Sequence, residues 1–133
     1  MLKKIIAIIS ITCIAGCGNT DSVPNTDIDV ARAFIKGVQE NKFKQAGALV
    51  LQDETNTGYI SQLERFYKQK SAEELEKYKS ADIIVNEITA VNDTVTIINY
   101  SNSYKKQDSN KLKMIKRNGQ WQVDLKYTFS GNL

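Results

Sequence analysis

Apolar residues recur with the period of a helix in the first half of the chain and with the period of a strand in the second half. The first helical group predicts a helix over residues 27–40, with Thr26 as its N-cap and Asn41 at its C-terminal end. Its apolar face consists of Val30, Ala31, Phe34, Ile35 and Val38. One side of this helix is therefore expected to be buried against the rest of the fold.

Three further segments before residue 80 also have helical features. Residues 42–51 predict a shorter helix, although an internal glycine weakens it. Residues 52–57 are polar and predict a loop, and residues 58–70 then carry apolar side chains at helical spacing. A capping box that begins at Ser71 predicts the start of a last short helix.

From residue 81 onwards the period changes to two, which is typical of strands. The predicted strands are residues 82–91, 94–104, 111–117 and 120–129. The pair Asn118-Gly119 predicts a tight hairpin turn, because a type I′ turn requires positive φ at both central positions. Short turns between successive strands predict an antiparallel meander. The expected fold class is α+β, with N-terminal helices packed on a curved four-stranded antiparallel sheet.

The last predicted strand alternates between apolar and polar side chains. Trp121 and Val123 belong to the apolar set, so we expect Trp121 at the centre of the core. Asp124 belongs to the opposite set and is expected to face solvent or a lysine such as Lys113.

The N-terminus has the pattern of an export signal. Lys3 and Lys4 precede an apolar run over residues 5–14, which is too short to span a bilayer. Residues 14–17 read Ile-Ala-Gly-Cys and resemble the lipobox of bacterial lipoproteins. That resemblance implies cleavage before Cys17 and lipid attachment to its thiol.

The same resemblance divides the chain and implies its location. Residues 1–16 are expected to be a lipoprotein signal peptide, residues 17–25 a lipidated tether, and residues 26–133 a single domain. The implied location is the bacterial cell envelope, exported and held on the membrane by the lipid on Cys17. In a Gram-negative cell that membrane would be the outer one.

Composition removes several kinds of chemistry. The chain has no histidine, which excludes Ser-His-Asp and Cys-His catalytic groups and the common zinc sites that contain histidine. A net charge of +3 is too small to indicate nucleic acid as a partner. No phosphate loop, dinucleotide turn or calcium loop is present, so we expect no cofactor and no metal.

Two segments carry a second resemblance. Residues 30–46 combine an apolar helix, a short polar turn, an aromatic residue and an alanine, and residues 112–124 combine a strand, a glycine turn and Trp-Gln-Val-Asp. Both resemble the nuclear transport factor two-like fold, also called cystatin-like, and the chain is similar to small lipoproteins of its lumazine-binding-like, DUF4878-type group of domains of unknown function. The resemblance implies a cone-shaped domain whose relatives include both enzymes and binding modules, so the fold alone does not choose between them.

An enzyme of the ketosteroid isomerase or dehydratase type would need a carboxylate base and an opposing donor in a pocket. The candidate bases are Asp82, Glu87 and Asp124, and the candidate donors are Tyr100 and Tyr104. Glu87 shares a strand face with Val85 and can point inward by that alternation. Each carboxylate also has the simpler interpretation of a surface charge.

A non-catalytic binding or interaction module is the function that the sequence favours, with no catalytic residue assigned. The candidate pocket consists of Tyr59, Phe66, Tyr67, Glu87, Tyr100 and Tyr104. The aromatic members of this set can equally fill the core. The expected partners are the membrane, through the lipid on Cys17, and a small apolar ligand or an envelope protein. The resemblance also implies a homodimer formed through the sheet.

Overall fold

A computed structural model describes residues 22–131 of the 133-residue chain. Its elements are α1 (Asp27–Gln39), α2 (Phe43–Ala48), α3 (Glu54–Lys68), α4 (Ala72–Lys79), β1 (Ile83–Asn92), β2 (Val95–Asn102), β3 (Asn110–Arg117), β4 (Gln120–Asp124) and α5 (Leu125–Phe129). The predicted α+β class is confirmed, with helices packed on a four-stranded antiparallel sheet. The signal peptide and the lipidation of Cys17 lie outside the described residues.

Helix α1 begins at the predicted residue and ends one residue before the predicted end. The Thr26 hydroxyl accepts a hydrogen bond from the Asp29 backbone N–H at 3.1 Å, which satisfies one of the free donors of the first turn. Asn41 ends the helix in the left-handed region, with φ of 61°. The chain then reverses into α2, and a Cβ at Gly37 would lie 3.1 Å from the Cβ of Ala46. A side chain at position 37 would therefore push the two helices apart.

The segment between α1 and α3 differs from its prediction in two ways. Helix α2 ends at Ala48 with Leu49 as its C-cap, and Val50 and Leu51 then follow the edge of the sheet. Val50 pairs in parallel with Val123, and the Leu51 N–H donates to the Val123 carbonyl at 3.0 Å. The predicted loop at 52–57 is wrong, because α3 already begins at Glu54 with Asp53 as its N-cap.

The sheet has the strand order β1-β2-β3-β4, which confirms the antiparallel meander. Asn118 and Gly119 join β3 to β4 with φ of 49° and 75°, the left-handed geometry that their hairpin signal predicts. The inner face of the sheet packs on the helices through Ile98, Leu112, Met114 and Val123, all of which are buried. The core therefore lies between α1 and strands β2, β3 and β4.

The end of the chain also differs from its prediction. The alternation from residue 120 predicts one strand to residue 129, but β4 stops at Asp124 and helix α5 follows. The Asp124 side chain accepts from the Lys126 backbone N–H at 3.2 Å and so caps the new helix. Trp121 is only half-buried at the edge of the core, so its predicted central place is wrong.

No helix among residues 22–131 is long and apolar enough to cross a bilayer.

Helix α1 buries one polar side chain that makes no hydrogen bond. Gln39 has no exposed surface, and neither its amide nitrogen nor its amide oxygen contacts a partner among the described residues. The Tyr67 hydroxyl donates a hydrogen bond at 3.4 Å to the backbone carbonyl of Gln39. The side-chain amide of Gln39 itself stays unsatisfied. An amide removed from water without a replacement partner lowers stability.

We expect Gln39→Met to raise the free energy of unfolding by about 1 kcal/mol, because methionine has a similar shape and no amide to desolvate. Urea unfolding of both proteins measures the difference. Gln45→Met, at an exposed position of α2, is the matched control and should change stability by less than about 0.5 kcal/mol. A loss of stability in Gln39→Met would contradict an unsatisfied amide.

Candidate functional site

A cavity of about 230 Å³ lies between the helices and the inner face of the sheet. Its walls come from α1, α3, α4, β2, β3 and α5. The lining residues are Phe34, Ile35, Val38, Leu63, Tyr78, Tyr100, Asn110, Leu112, Leu125, Thr128 and Phe129. The elements that surround the core thus leave a space at one end of it.

Most of the cavity wall is apolar, and core residues and an aromatic pair hold its side chains in place. Phe34, Ile35 and Leu112 are buried core residues that face the cavity from α1 and β3. On the opposite side, Phe129 of α5 stacks on Tyr59 of α3 with ring centroids 4.4 Å apart and an interplanar angle of 4°. This aromatic pair holds α5 against α3 and closes that wall.

Three polar side chains without hydrogen bonds interrupt the apolar wall, besides Thr128, whose hydroxyl donates to the Lys111 carbonyl at 2.7 Å. Tyr100 and Asn110 are directly paired across β2 and β3, and Tyr78 reaches the cavity from α4. None of these three side chains makes a hydrogen bond to another described residue. Two phenol hydroxyls and one amide are therefore left for a ligand or for water.

The two phenols remain hydrogen-bond donors at any physiological pH. Burial raises the pKa of Tyr100 far above its ordinary value, and the neighbouring Tyr78 adds to the effect. Burial likewise raises the pKa of Tyr78, with a smaller contribution from Tyr67. Both hydroxyls thus stay protonated, as a donor to a neutral oxygen requires.

No aspartate, glutamate, lysine or arginine lines this cavity among the described residues. Residues 22–131 also hold no cluster of acidic or thiol side chains with the geometry of a metal site. The chemistry available at the cavity wall is therefore hydrogen bonding and apolar contact.

Of the six side chains in the predicted pocket, Tyr100 alone lines this cavity. Tyr59 supports its wall from behind, and Tyr67 is a core residue whose ring meets Phe43 edge-on at 5.6 Å. Phe66 is 47% exposed on α3, so its placement in a pocket is wrong. Tyr104 lies two residues beyond the end of β2, with the Lys77 and Lys105 ammonium groups 5.9 and 5.6 Å from its ring centre.

Glu87 does not point inward, and a β-bulge is the reason. Val85 pairs with Tyr100 on the inner face, but Glu87 pairs with Asn99, because Asn86 is an extra residue between them. The bulge reverses the alternation, so Glu87 is exposed on the outer face in a shallow groove beside Lys111. The interpretation of Glu87 as an inward base is therefore wrong.

The other two candidate bases also lie outside the cavity. Asp82 is exposed just before β1. Asp124 is buried, contrary to the predicted solvent-facing position, because Asn56 covers it and donates to its carboxylate at 3.3 Å. The same Asn56 amide donates to Asp53 at 2.9 Å, so one side chain joins the caps of α3 and α5.

This cluster is structural, and hydrogen bonds and one ion pair hold Asp53 in it. Hydrogen bonds from the backbone and side chain of Asn56, followed by the Lys126 ammonium at 3.1 Å, lower the pKa of Asp53 to about 2. Asp53 is therefore ionised at physiological pH and is held by its partners. Its position at the start of α3 gives it a capping role and no route to the cavity.

Several cavity residues are absent from the pocket predicted from the sequence. Tyr78 has the signal of an aromatic residue on the amphipathic helix α4, and Asn110 directly precedes an apolar strand. The alternation from residue 120 predicts a strand at Phe129, although Leu125, Thr128 and Phe129 also have the i, i+3, i+4 spacing of a helix face. That helical spacing is the signal in the sequence that puts all three on one wall.

The comparisons with known proteins give no similar protein for this chain. Neither the protein-family models, nor the curated proteins, nor the solved structures give a match to the chain.

Proposed function

We propose that this protein is a membrane-anchored lipoprotein of the bacterial envelope that binds a small, largely apolar and uncharged ligand in the cavity between helices and sheet. The observation that carries the proposal is an apolar cavity into which three polar side chains project without partners. Binding sites for small molecules commonly combine apolar walls with a few such groups. At about 230 Å³ the space suits a single ring or a short chain.

The composition of the wall argues for a neutral ligand. A charged group would lose its hydration on entry and would find no opposite charge among the residues that line the cavity. The phenols of Tyr78 and Tyr100 can each donate a hydrogen bond to a carbonyl, ether or hydroxyl oxygen. The ligand that fits best is therefore apolar over most of its surface and carries one oxygen acceptor.

The same wall makes the alternative of a pocket enzyme less favourable. Acid–base chemistry of the isomerase or dehydratase kind needs a group that accepts a proton at the reacting carbon. The three carboxylates that the sequence offers for this role, Asp82, Glu87 and Asp124, lie outside the cavity. Binding is therefore the function that this geometry supports best.

We expect Tyr100→Phe to weaken the binding of acetophenone about tenfold, because the variant loses a buried hydrogen bond to the carbonyl. Ethylbenzene has nearly the same shape and no acceptor, so its affinity should be unchanged. Benzoate should not bind, because its carboxylate would be buried without a partner. Isothermal calorimetry with the three probes measures these differences.

Tyr104→Phe is the matched control, because it removes the same hydroxyl at a position outside the cavity. It should leave the affinities for acetophenone and ethylbenzene unchanged. Equal weakening by the two variants, or no binding of either neutral probe to the unmodified protein, would overturn the proposed site.

The membrane anchor has its own test. We expect Cys17→Ser to move the protein from the membrane fraction to the soluble fraction, because two or three acyl chains hold a protein firmly where one gives marginal binding. Membrane fractionation and the intact mass of the mature chain report the change, with globomycin treatment as the control. An unchanged mass and an unchanged membrane fraction would contradict the anchor.

A further inference from the structure

The described chain starts at one end of the sheet, beside its two hairpin turns. Val23, Pro24 and Asn25 lie against Gly119 and Trp121, where they line a shared groove at the start of β4. Lys116, which pairs with Trp121, donates its backbone N–H to the Thr94 carbonyl of the other turn at 2.8 Å. The tether and both hairpin turns therefore occupy the same end, which we name the tether end.

The tether end exposes apolar side chains that the fold leaves uncovered. Val23 is 83% exposed, and Val91 is 58% exposed because it is the extra residue of a bulge between Ala90 and Asn92. Trp121 is half-buried, and the Lys116 ammonium lies 5.8 Å from its ring centre. With strands about 4.8 Å apart, Val91 and Trp121 lie about 14 Å from each other across the sheet.

The short connection to Cys17 keeps this end close to the membrane. Cys17 lies five positions before Ser22, and even a fully extended chain over five positions spans only about 17 Å. The opposite end of the sheet, at Asn102, is about 24 Å further away along β2. The tether end is thus the part of the domain that meets the lipid first.

We infer that the tether end of the domain rests on the bilayer surface, with Val23, Val91 and Trp121 at the boundary between headgroups and acyl chains. This inference rests on the proposed lipidation of Cys17. Tryptophan beside a lysine favours that boundary, where its ring meets the apolar side and its N–H meets water.

The charged residues of the tether end do not explain why this end would face the bilayer. Exposed Lys116 and Arg117 are offset at the same end by Asp93 and by the acidic first turn of α1, Asp27 and Asp29. Apolar contact and the short tether are therefore the main causes of this orientation. A bilayer of neutral phosphatidylcholine should be sufficient for the tether end to rest on its surface. The cavity, at the level of Tyr100 and Asn110, then lies on the side away from the membrane and takes its ligand from the aqueous compartment.

The test uses Trp121, which is the single tryptophan of the chain. The full lipidated protein, purified from bacterial membranes, is reconstituted in phosphatidylcholine vesicles with and without bromine on the acyl chains. We expect bromine to lower the Trp121 emission about twofold, because interfacial side chains reach the upper acyl region where bromine quenches. The double variant Val23→Ser, Val91→Ser removes two exposed contacts and should reduce the quenching.

The matched control moves the reporter to the other end of the sheet. The variant Trp121→Phe, Tyr104→Trp should show no quenching by brominated lipid. Equal quenching at both ends, or no quenching of Trp121 in protein that floats with the vesicles, overturns the orientation and leaves the anchor intact. If the protein carries no lipid mass and does not float, the anchor fails and the orientation falls with it.

Discussion

Asn56→Ala should lower the free energy of unfolding by about 3 kcal/mol, a large share of the roughly 5–15 kcal/mol typical of a domain. Asn56 is fully buried, and its amide oxygen accepts the Leu125 backbone N–H at 2.8 Å. Its amide nitrogen donates to the carboxylates of Asp53 and Asp124. Alanine would leave a buried N–H and a buried carboxylate without these partners, and each such loss is costly.

Thr55→Ala is the control, because Thr55 is exposed in the same turn of α3 and makes no hydrogen bond through its side chain. Asn56→Asp separates the role of the amide oxygen as an acceptor from the role of the amide nitrogen as a donor. It keeps an acceptor for Leu125 but puts a third carboxylate against two others, so we expect a loss at least as large as in Asn56→Ala. Urea unfolding measures all three variants, and a result for Asn56→Ala close to that of Thr55→Ala would contradict the bridging role.

The contacts of Asn56 with Asp53, Asp124 and Leu125 show which parts of this fold can be predicted from the sequence. Helix starts at Thr26 and Ser71 follow from local capping signals, and the structure confirms both caps. The start of α3 does not follow from the sequence, because residues 52–57 are polar and polarity alone does not distinguish a loop from a capped first turn. Asn56 is polar and yet fully buried, and its hydrogen-bond partner Leu125 lies 69 residues further along the chain. No local pattern contains that contact.

Strand faces were predictable only where the alternation is uninterrupted. The order of the four strands and the turn at Asn118-Gly119 follow from period and turn chemistry, and the structure confirms them. The face of Glu87 does not, because a single bulge at Asn86 reverses it. In the same way, Asp124 ends β4 by capping a helix, although the alternation continues past it.

The candidate site was less readable than the fold, because five elements outside β2 build it. The alternation along β2 puts Tyr100 on the inner face of the sheet, from which it lines the cavity. Tyr78, Asn110 and Phe129 reach the same cavity from α4, β3 and α5, and their meeting depends on the packing of helices on the sheet. Periodicity identifies the face of each element, and only the tertiary packing shows where those faces leave a space.

Phe34→Ala should cost about 4 kcal/mol of unfolding free energy, because it removes a buried ring from the centre of the α1 interface and enlarges an existing cavity. Phe34 is 3% exposed, belongs to the main core cluster and lines the cavity wall. Neighbouring side chains cannot close the gap easily, since Phe34 already borders the cavity and has no packed side chain on that side. Urea unfolding, with an unchanged dependence on denaturant, measures the loss.

Phe66→Ala is a closely matched control, since it deletes the same ring from an exposed position on α3 and should cost less than about 1 kcal/mol. If Phe34→Ala leaves too little folded protein to measure, Phe34→Leu keeps most of the volume and should cost about 1 kcal/mol. Equal losses for Phe34→Ala and Phe66→Ala would contradict the packing described for α1. The same pair tests the site, because enlarging the cavity at Phe34 should change its affinity for acetophenone while truncation at Phe66 should leave that affinity unchanged.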